Sequence, residues 1–190
     1  AIMRRVILGM SGASGAAIGL QVGRLLAAMD DVELHLVVTS AARRTIAHEA
    51  GNEALGRLIG LAAHFHSESD IGASIASGSF RTAGMIVAPC SMRSLAAIST
   101  GITDNLLTRA ADVQLKERRR LVLLARETPL HLGHLRNMVA VTEMGAVVMP
   151  PVPSFYRNPA SVEDLVAHIA ARAVDLLGLT DAPLIPEWRG

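Results

Sequence analysis

With 190 residues, 51% of them apolar and 18% charged, the chain fits one globular domain, and so little charge suits a protein that buries part of its surface against copies of itself. A net charge of +1 and an aromatic content of 3% exclude both the broad cationic footprint and the stacking platforms of a general nucleic-acid binder. The lone Cys90 permits no internal disulfide, no apolar run nears the roughly 18 residues of a membrane span, and Val6 to Met10 behind Arg4 and Arg5 is too short for a signal segment, so a soluble cytoplasmic protein without a membrane partner is expected.

Short apolar runs alternate with longer segments of helical period, which predicts an α/β class with parallel strands and crossover helices. The first strand is Val6 to Met10, followed by the loop Ser11-Gly12-Ala13-Ser14-Gly15 and a helix over Ala16 to Met29. Alternating Val32, Leu34, Leu36 and Val38 mark the second strand, which ends at Thr39, and Ala41 to Ala50 is a helix. Residues 51–82 carry Ser/Gly clusters and are expected to hold no strand. Met85 to Ala88 is a third buried strand stopped by Pro89. Helices over Ser91 to Ser99 and Asp104 to Arg119 follow, with Gly101 as the break. Leu121 to Ala125 and Ala146 to Met149 are the last strands, separated by a helix over His131 to Met144. A capping pair, Ser161 and Asp164, opens the final helix, and the chain beyond Gly178 is a tail on a single domain of residues 1–190.

Open parallel sheets bind ligands beyond the carboxyl ends of their strands, so the residues there deserve inspection first. They are the Gly12 to Gly15 loop, Thr39, Cys90-Ser91, Arg126-Glu127 and the segment leading to Tyr156. The first loop offers backbone N–H groups and a helix dipole suited to a phosphate, and a tight turn without ligand would read the same way. Gly12, Gly15 and Gly19 do not form G-x-G-x-x-G, and Thr39 stands where a ribose-binding carboxylate would be needed, which disfavours a nicotinamide cofactor. Arg109, Asp112 and Lys116 share a helix face, a pattern that also describes a solvated salt-bridge stripe, and Arg118 to Arg120 read as cations at a helix C-terminus. His64 and His66 have no cysteine or carboxylate at ligand spacing and argue against a metal, while Cys90 reads as a small buried thiol rather than a nucleophile.

Taken together, Ser11 to Gly15, Pro89-Cys90-Ser91, Asn105 to Lys116 (N-L-L-T-R-A-A-D-V-Q-L-K), Arg126-Glu127 and Phe155-Tyr156 resemble the UbiX-type flavin prenyltransferases. The likeness spans Arg5 to Trp188 and is most specific in the R-A-A-D-V-x-L-K-E-R block at Arg109 to Arg118 and in the segment from Tyr156 to Arg172 with its S-V-E-D start. It implies a flavodoxin- or Rossmann-like three-layer fold with a central parallel sheet. The implied reaction moves a dimethylallyl group from dimethylallyl monophosphate to N5 and C6 of reduced FMN, without a metal, and passes the prenylated FMN to a UbiD-type decarboxylase. By position, the resemblance assigns Gly12, Ala13, Ser14, Thr39, Ser91, Met92, Arg93, Ser94, Asn105 and Arg109 to FMN. It sets Lys116, Arg126, Tyr156 and Arg172 around the donor's phosphate, Trp188 with Tyr156 as a cover that a neighbouring subunit can supply, and Ser14, Glu49 and Glu127 in the chemistry. It also implies a homo-oligomer, the dodecamer being usual.

Ser94 stands where the family often has threonine, Ala125 where proline is common before Arg126, and Arg136 where glutamate is usual. The nearest rival is an FMN-dependent cysteine-type decarboxylase, whose P-A-S-A-N-T motif faces Pro89-Cys90-Ser91-Met92-Arg93-Ser94 here, with Arg93 in the asparagine slot. A non-catalytic flavin-binding subunit would have no use for the cluster of Lys116, Arg126, Glu127, Tyr156 and Arg172.

Overall fold

The computed structural model describes residues 2–190. Six strands, β1 (Arg4–Met10), β2 (Val32–Val38), β3 (His64–His66), β4 (Gly84–Cys90), β5 (Arg120–Ala125) and β6 (Val147–Val148), form one parallel sheet in the order β3-β2-β1-β4-β5-β6. Seven helices join them: α1 (Ala16–Ala27), α2 (Ser40–Ala50), α3 (Ala54–Leu61), α4 (Met92–Thr100), α5 (Leu106–Lys116), α6 (Leu132–Glu143) and α7 (Val162–Asp175). Because the central strands are covered on both faces, β1 beyond Arg5 and all of β4 are continuously apolar, whereas β2 alternates with Glu33 and His35 before it too becomes apolar. Val6, Leu8, Leu34 and Leu36 face the layer of α1, α3 and α7, whereas Ile7, Val37, Met85 and Val87 face α4, α5 and α6. Full burial of each such side chain contributes about 1.5–3 kcal/mol.

The topology reverses between β1 and β4, and the loops that open a crevice are those following β1, β2 and β4. Close approach of α1 to β4 depends on Gly19, where an added Cβ would lie 2.2 Å from the Ala88 carbonyl oxygen. Backbone is in the way, so relief requires moving a helix. Gly19→Ala is therefore expected to destabilise the fold by about 1–3 kcal/mol or more, read as a lower denaturant midpoint at unchanged slope.

Two features depart from the expectations. The segment 51–82, expected to be without a strand, contains β3 at the sheet edge and also α3. β3 has three residues and pairs only with β2, His35 opposite His64 and Val37 opposite His66, so its signal lies in its neighbour's residues rather than its own. Pro89 does not stop the third strand: β4 runs through it to Cys90, with a register shift between Val87 and Cys90 where proline has no N–H to give the ladder. The helix boundaries otherwise fall within a few residues of expectation. No helix among the described residues is long and apolar enough to cross a membrane.

Candidate active site

Gly15, the residue before α1, adopts a left-handed conformation (φ 113°) that favours glycine, and the turn it makes aims the first α1 amides outward. Those amides are already engaged. Gly15 N and Ala16 N each donate to Glu49 Oε1 at 2.9 Å, and Ser14 Oγ donates to Glu49 Oε2 at 2.6 Å. The expectation of a free, phosphate-ready N-terminus at α1 is thus corrected: a carboxylate from the last turn of α2 occupies it, favoured by the same dipole that would hold a phosphate. Thr45 Oγ1 donates to Gly12 O at 2.9 Å and ties the loop to the same helix.

Partial burial alone would raise the Glu49 pKa, but the Ser14 hydroxyl, the Ala16 and Gly15 amides and the nearby Arg126 charge outweigh it and hold the carboxyl below its ordinary 4.5. A depressed folded-state pKa stabilises above the unfolded value and loses that contribution as pH falls through the folded one. The melting-temperature advantage of the wild type over Glu49→Gln should accordingly shrink between about pH 6 and about pH 4. An advantage that stays constant over that range would show that the anchor does not titrate.

Beyond β1, β2 and β4 lies a crevice of about 450 Å³ lined by Ser11, Gly12, Thr39, Ser40, Ala41, Glu68, Ser91, Arg93, Ser94 and Asn105. Its walls are capped helix ends. Thr39 accepts from Ala42 N at 3.1 Å, Ser91 from Ser94 N at 3.2 Å and Asn105 from Thr108 N at 2.9 Å, so three polar residues singled out by the sequence are the N-caps of α2, α4 and α5. Glu68 takes Ser40 N at 2.7 Å and its carbonyl takes Leu106 N at 2.7 Å, so the α4 N-terminus is the most open of the three: both Met92 N and Arg93 N have no partner among the described residues. The Arg93 guanidinium pairs with Asp104 at the rim. Arg109, one turn into α5, donates to Ala76 O and pairs with Asp112, both at 3.2 Å. Ser11 and Glu68 were not anticipated. Ser11 Oγ donates to Pro89 O and accepts from Ser91 N, both at 2.7 Å, a link between two strand ends that no local motif announces. Cys90 is fully buried and burial pushes its thiol up to about 12, which removes it as a nucleophile.

Arg126 and Glu127 follow β5 at this same edge of the sheet, Arg126 N donating to Cys90 O at 3.1 Å. The Glu127 carboxylate is exposed and accepts only from Thr128 N at 2.9 Å. The remaining donor-site residues stand elsewhere in the chain. Lys116 ends α5, roughly 16 Å along the helix from Asn105, and pairs with Glu117 at 2.6 Å. Arg172 lies in the last turn of α7, at the end of the sheet where Leu179 O accepts from Arg4. There Tyr156 meets Trp188 edge to face at 5.4 Å, and both line a cavity of about 460 Å³ with Arg172, His168 and Asp175. Asp175 fixes the tail by accepting from Leu184 N and Ile185 N at 2.7 and 3.0 Å. Tyr156 and Trp188 remain 60% and 71% exposed. One chain therefore builds the crevice with Ser14, Glu49 and Arg126 at one edge, and presents Lys116 and the Tyr156–Arg172–Trp188 group away from it.

A parallel sheet with a hydroxyl-lined crevice at its topological switch point defines the mononucleotide-binding α/β class, and the chain matches the Flavoprotein family over residues 2–174. Within that class it belongs to the UbiX flavin prenyltransferase family. It is 55% identical over 189 residues to the flavin prenyltransferase UbiX of Neisseria meningitidis, covering 100% of this chain and 98% of that relative. Among solved structures it is similar to a dodecameric FMN-dependent UbiX-like decarboxylase from Escherichia coli O157:H7 (TM-score 0.91, 46% identity, 98% of this chain and 99% of that one). A second, AnUbiX (PadA1) in complex with FMN and dimethylallyl pyrophosphate, gives a TM-score of 0.87 at 47% identity over 98% of this chain and 100% of that one.

Proposed function

We propose that the protein is a flavin prenyltransferase that moves a dimethylallyl group from dimethylallyl monophosphate to N5 and C6 of reduced FMN, and that its prenylated product serves a UbiD-type decarboxylase. The observation that carries this reading is near-full-length identity of about half to flavin prenyltransferases, supported by a crevice whose lining includes Gly12, Thr39, Ser91, Arg93, Ser94 and Asn105 of the implied FMN set. The crevice fits the group. Its volume lies in the range of about 300–1,000 Å³ usual for small-molecule sites, and the open amides at Met92 and Arg93, flanked by the Ser91 and Ser94 hydroxyls, suit a phosphate. By the resemblance, Gly12, Ala13 and Ser14 would hold the flavin together with Thr39 and Asn105, and Arg109, which pairs with Asp112 here, would add positive charge. Reduced FMN, when bound, supplies the nucleophilic positions.

The chain's own groups supply the rest. Arg126, with Lys116 and Arg172 from neighbouring copies, neutralises the phosphate as the allylic C–O bond breaks and the electron pair leaves with oxygen, and the Tyr156 hydroxyl donates to it. Ser14, held by Glu49, would lie near N5 of a bound flavin, and Glu127 would relay protons during ring closure, giving one to the allyl double bond and taking one from C6 so that none is gained or lost overall. Trp188 and Tyr156 cover the pocket and keep water from the cation. Because one chain leaves Lys116 and the Tyr156 group away from Arg126, the complete site requires an oligomer. Leu132, Leu135 and Val139 on the exposed face of α6 supply apolar surface for such contacts. Light scattering is expected to give twelve chains of 20.0 kDa, and a monomer with full activity would overturn the shared site. Phosphate release from dimethylallyl monophosphate tests the reaction: it should require reduced FMN, and release that ignores the flavin's redox state would contradict it.

A further inference from the structure

The edge strand β3 brings together groups that the sequence keeps about thirty residues apart. Glu33 and His35 lie on one face of β2, and His64 and His66 lie on the same face of β3, with His35 directly opposite His64. Glu33 Oε1 is 2.8 Å from His35 Nε2 and 3.4 Å from His64 Nε2, and the three potential ligand atoms all lie within 4.8 Å of one another. The three imidazoles stack on one another, His35 at 4.5 Å from His64 and 5.2 Å from His66.

We propose that Glu33, His35 and His64 form a divalent-metal site, suited to Zn²⁺, that staples the edge strand β3 to β2. Two imidazole nitrogens and a carboxylate oxygen are the donor set of a borderline cation. Zinc bonds of about 2.0–2.1 Å in a tetrahedron separate ligand atoms by about 3.3 Å, so the His64–Glu33 spacing fits, the His35–Glu33 contact opens slightly, and the exposed His64 ring turns out of its stack on His35, 25° from parallel, to aim its lone pair at the ion. His35 is 2% exposed and its remaining nitrogen, Nδ1, contacts His66 Nε2 at 2.9 Å, the outer-shell partner that fixes a ligating ring. His64 is 54% exposed, which leaves an entry path and a fourth position for water. Arg5 Nε stands 3.6 Å from Glu33 Oε1 while its guanidinium lies over Phe80 at 4.3 Å, and it is the cation the metal displaces from the carboxylate. His35 is four residues before Thr39, about 13 Å along the strand from the crevice, so the site is structural and separate from prenyl transfer.

The test uses untagged full-length protein stripped with a chelator and desalted. Zn²⁺ titrated against a chromophoric chelator should show one equivalent bound at micromolar affinity or tighter, and Co²⁺ should give the intense visible bands of a tetrahedral site. His64→Ala, a largely exposed position that leaves the core intact, and Glu33→Gln should each weaken binding at least tenfold. Zn²⁺ should raise the melting temperature of the wild type and not that of His64→Ala. The stacked pair His131 and His134 is the control, and its double alanine variant should bind as the wild type does. Affinity weaker than a hundred micromolar, binding that survives both His64→Ala and Glu33→Gln, or binding lost with His131 and His134 would overturn the proposal.

Discussion

Glu127→Gln is expected to keep the fold, bind FMN and form prenylated FMN about 100- to 10,000-fold more slowly than the wild type, the range typical of a lost general acid–base group. Glu127 lies two residues beyond β5 at the ligand edge, exposed, with no salt bridge among the described residues and only the Thr128 amide for a partner. A surface carboxylate of that kind contributes about 0–1 kcal/mol to stability at most. Loss of the proton relay leaves ionisation of the donor untouched, so the first turnover's phosphate release should survive, with the N5-alkylated flavin accumulating, while ring-closed product does not. Anaerobic single-turnover analysis that follows both products separates the steps. Product formation near the wild-type rate would remove Glu127 from the chemistry.

Arg126→Ala should lower the rate of phosphate release by about 100- to 1,000-fold, the usual cost of deleting one preorganised donor to developing charge. Arg126 is held at the strand end by its own amide on Cys90 O, and its charge reaches Glu49 as well. Arg126→Lys keeps the charge without the planar fork and should recover part of the rate. FMN affinity should change little in either variant, since no residue lining the crevice comes from β5 or the loop after it. A rate within a few-fold of wild type for Arg126→Ala would move the donor's phosphate elsewhere.

Much of this architecture was legible because buried parallel strands announce themselves. The runs at β1, β4 and β5 are apolar on both faces, β2 shows alternating Val32, Leu34, Leu36 and Val38, and polar residues mark where each one ends. Thr39 and Ser91 drew notice because they end strands, and Asn105 only through the resemblance; the structure makes each the N-cap of the helix that follows. What stayed hidden depends on distant pairing. α3 carries Gly56 and Gly60, each about 0.8–1.0 kcal/mol worse than alanine in a helix, and it is held by Leu58 packing where Gly23 leaves room on α1. β3 is three residues long and takes its meaning from Glu33 and His35 across the ladder. The Glu49 clamp on the α1 amides joins residues more than thirty apart, and the resemblance pointed to Glu49 without revealing that it fills the helix end. Lys116 and Arg172 were grouped with Arg126 by the resemblance, whereas the helix lengths in one chain keep them apart.

The central claim concerns what happens to the flavin, so the most direct measurement is the mass of the flavin itself. Protein incubated anaerobically with dimethylallyl monophosphate and reduced FMN, then denatured, should release a flavin heavier than reduced FMN by one dimethylallyl unit in place of one hydrogen, a mass that ring closure leaves unchanged and only later oxidation lowers. That product should be absent when FMN is left oxidised or when Glu49→Gln and Arg126→Ala are combined. Recovery of unmodified FMN alone, from assembled protein that demonstrably binds reduced FMN, would contradict the account.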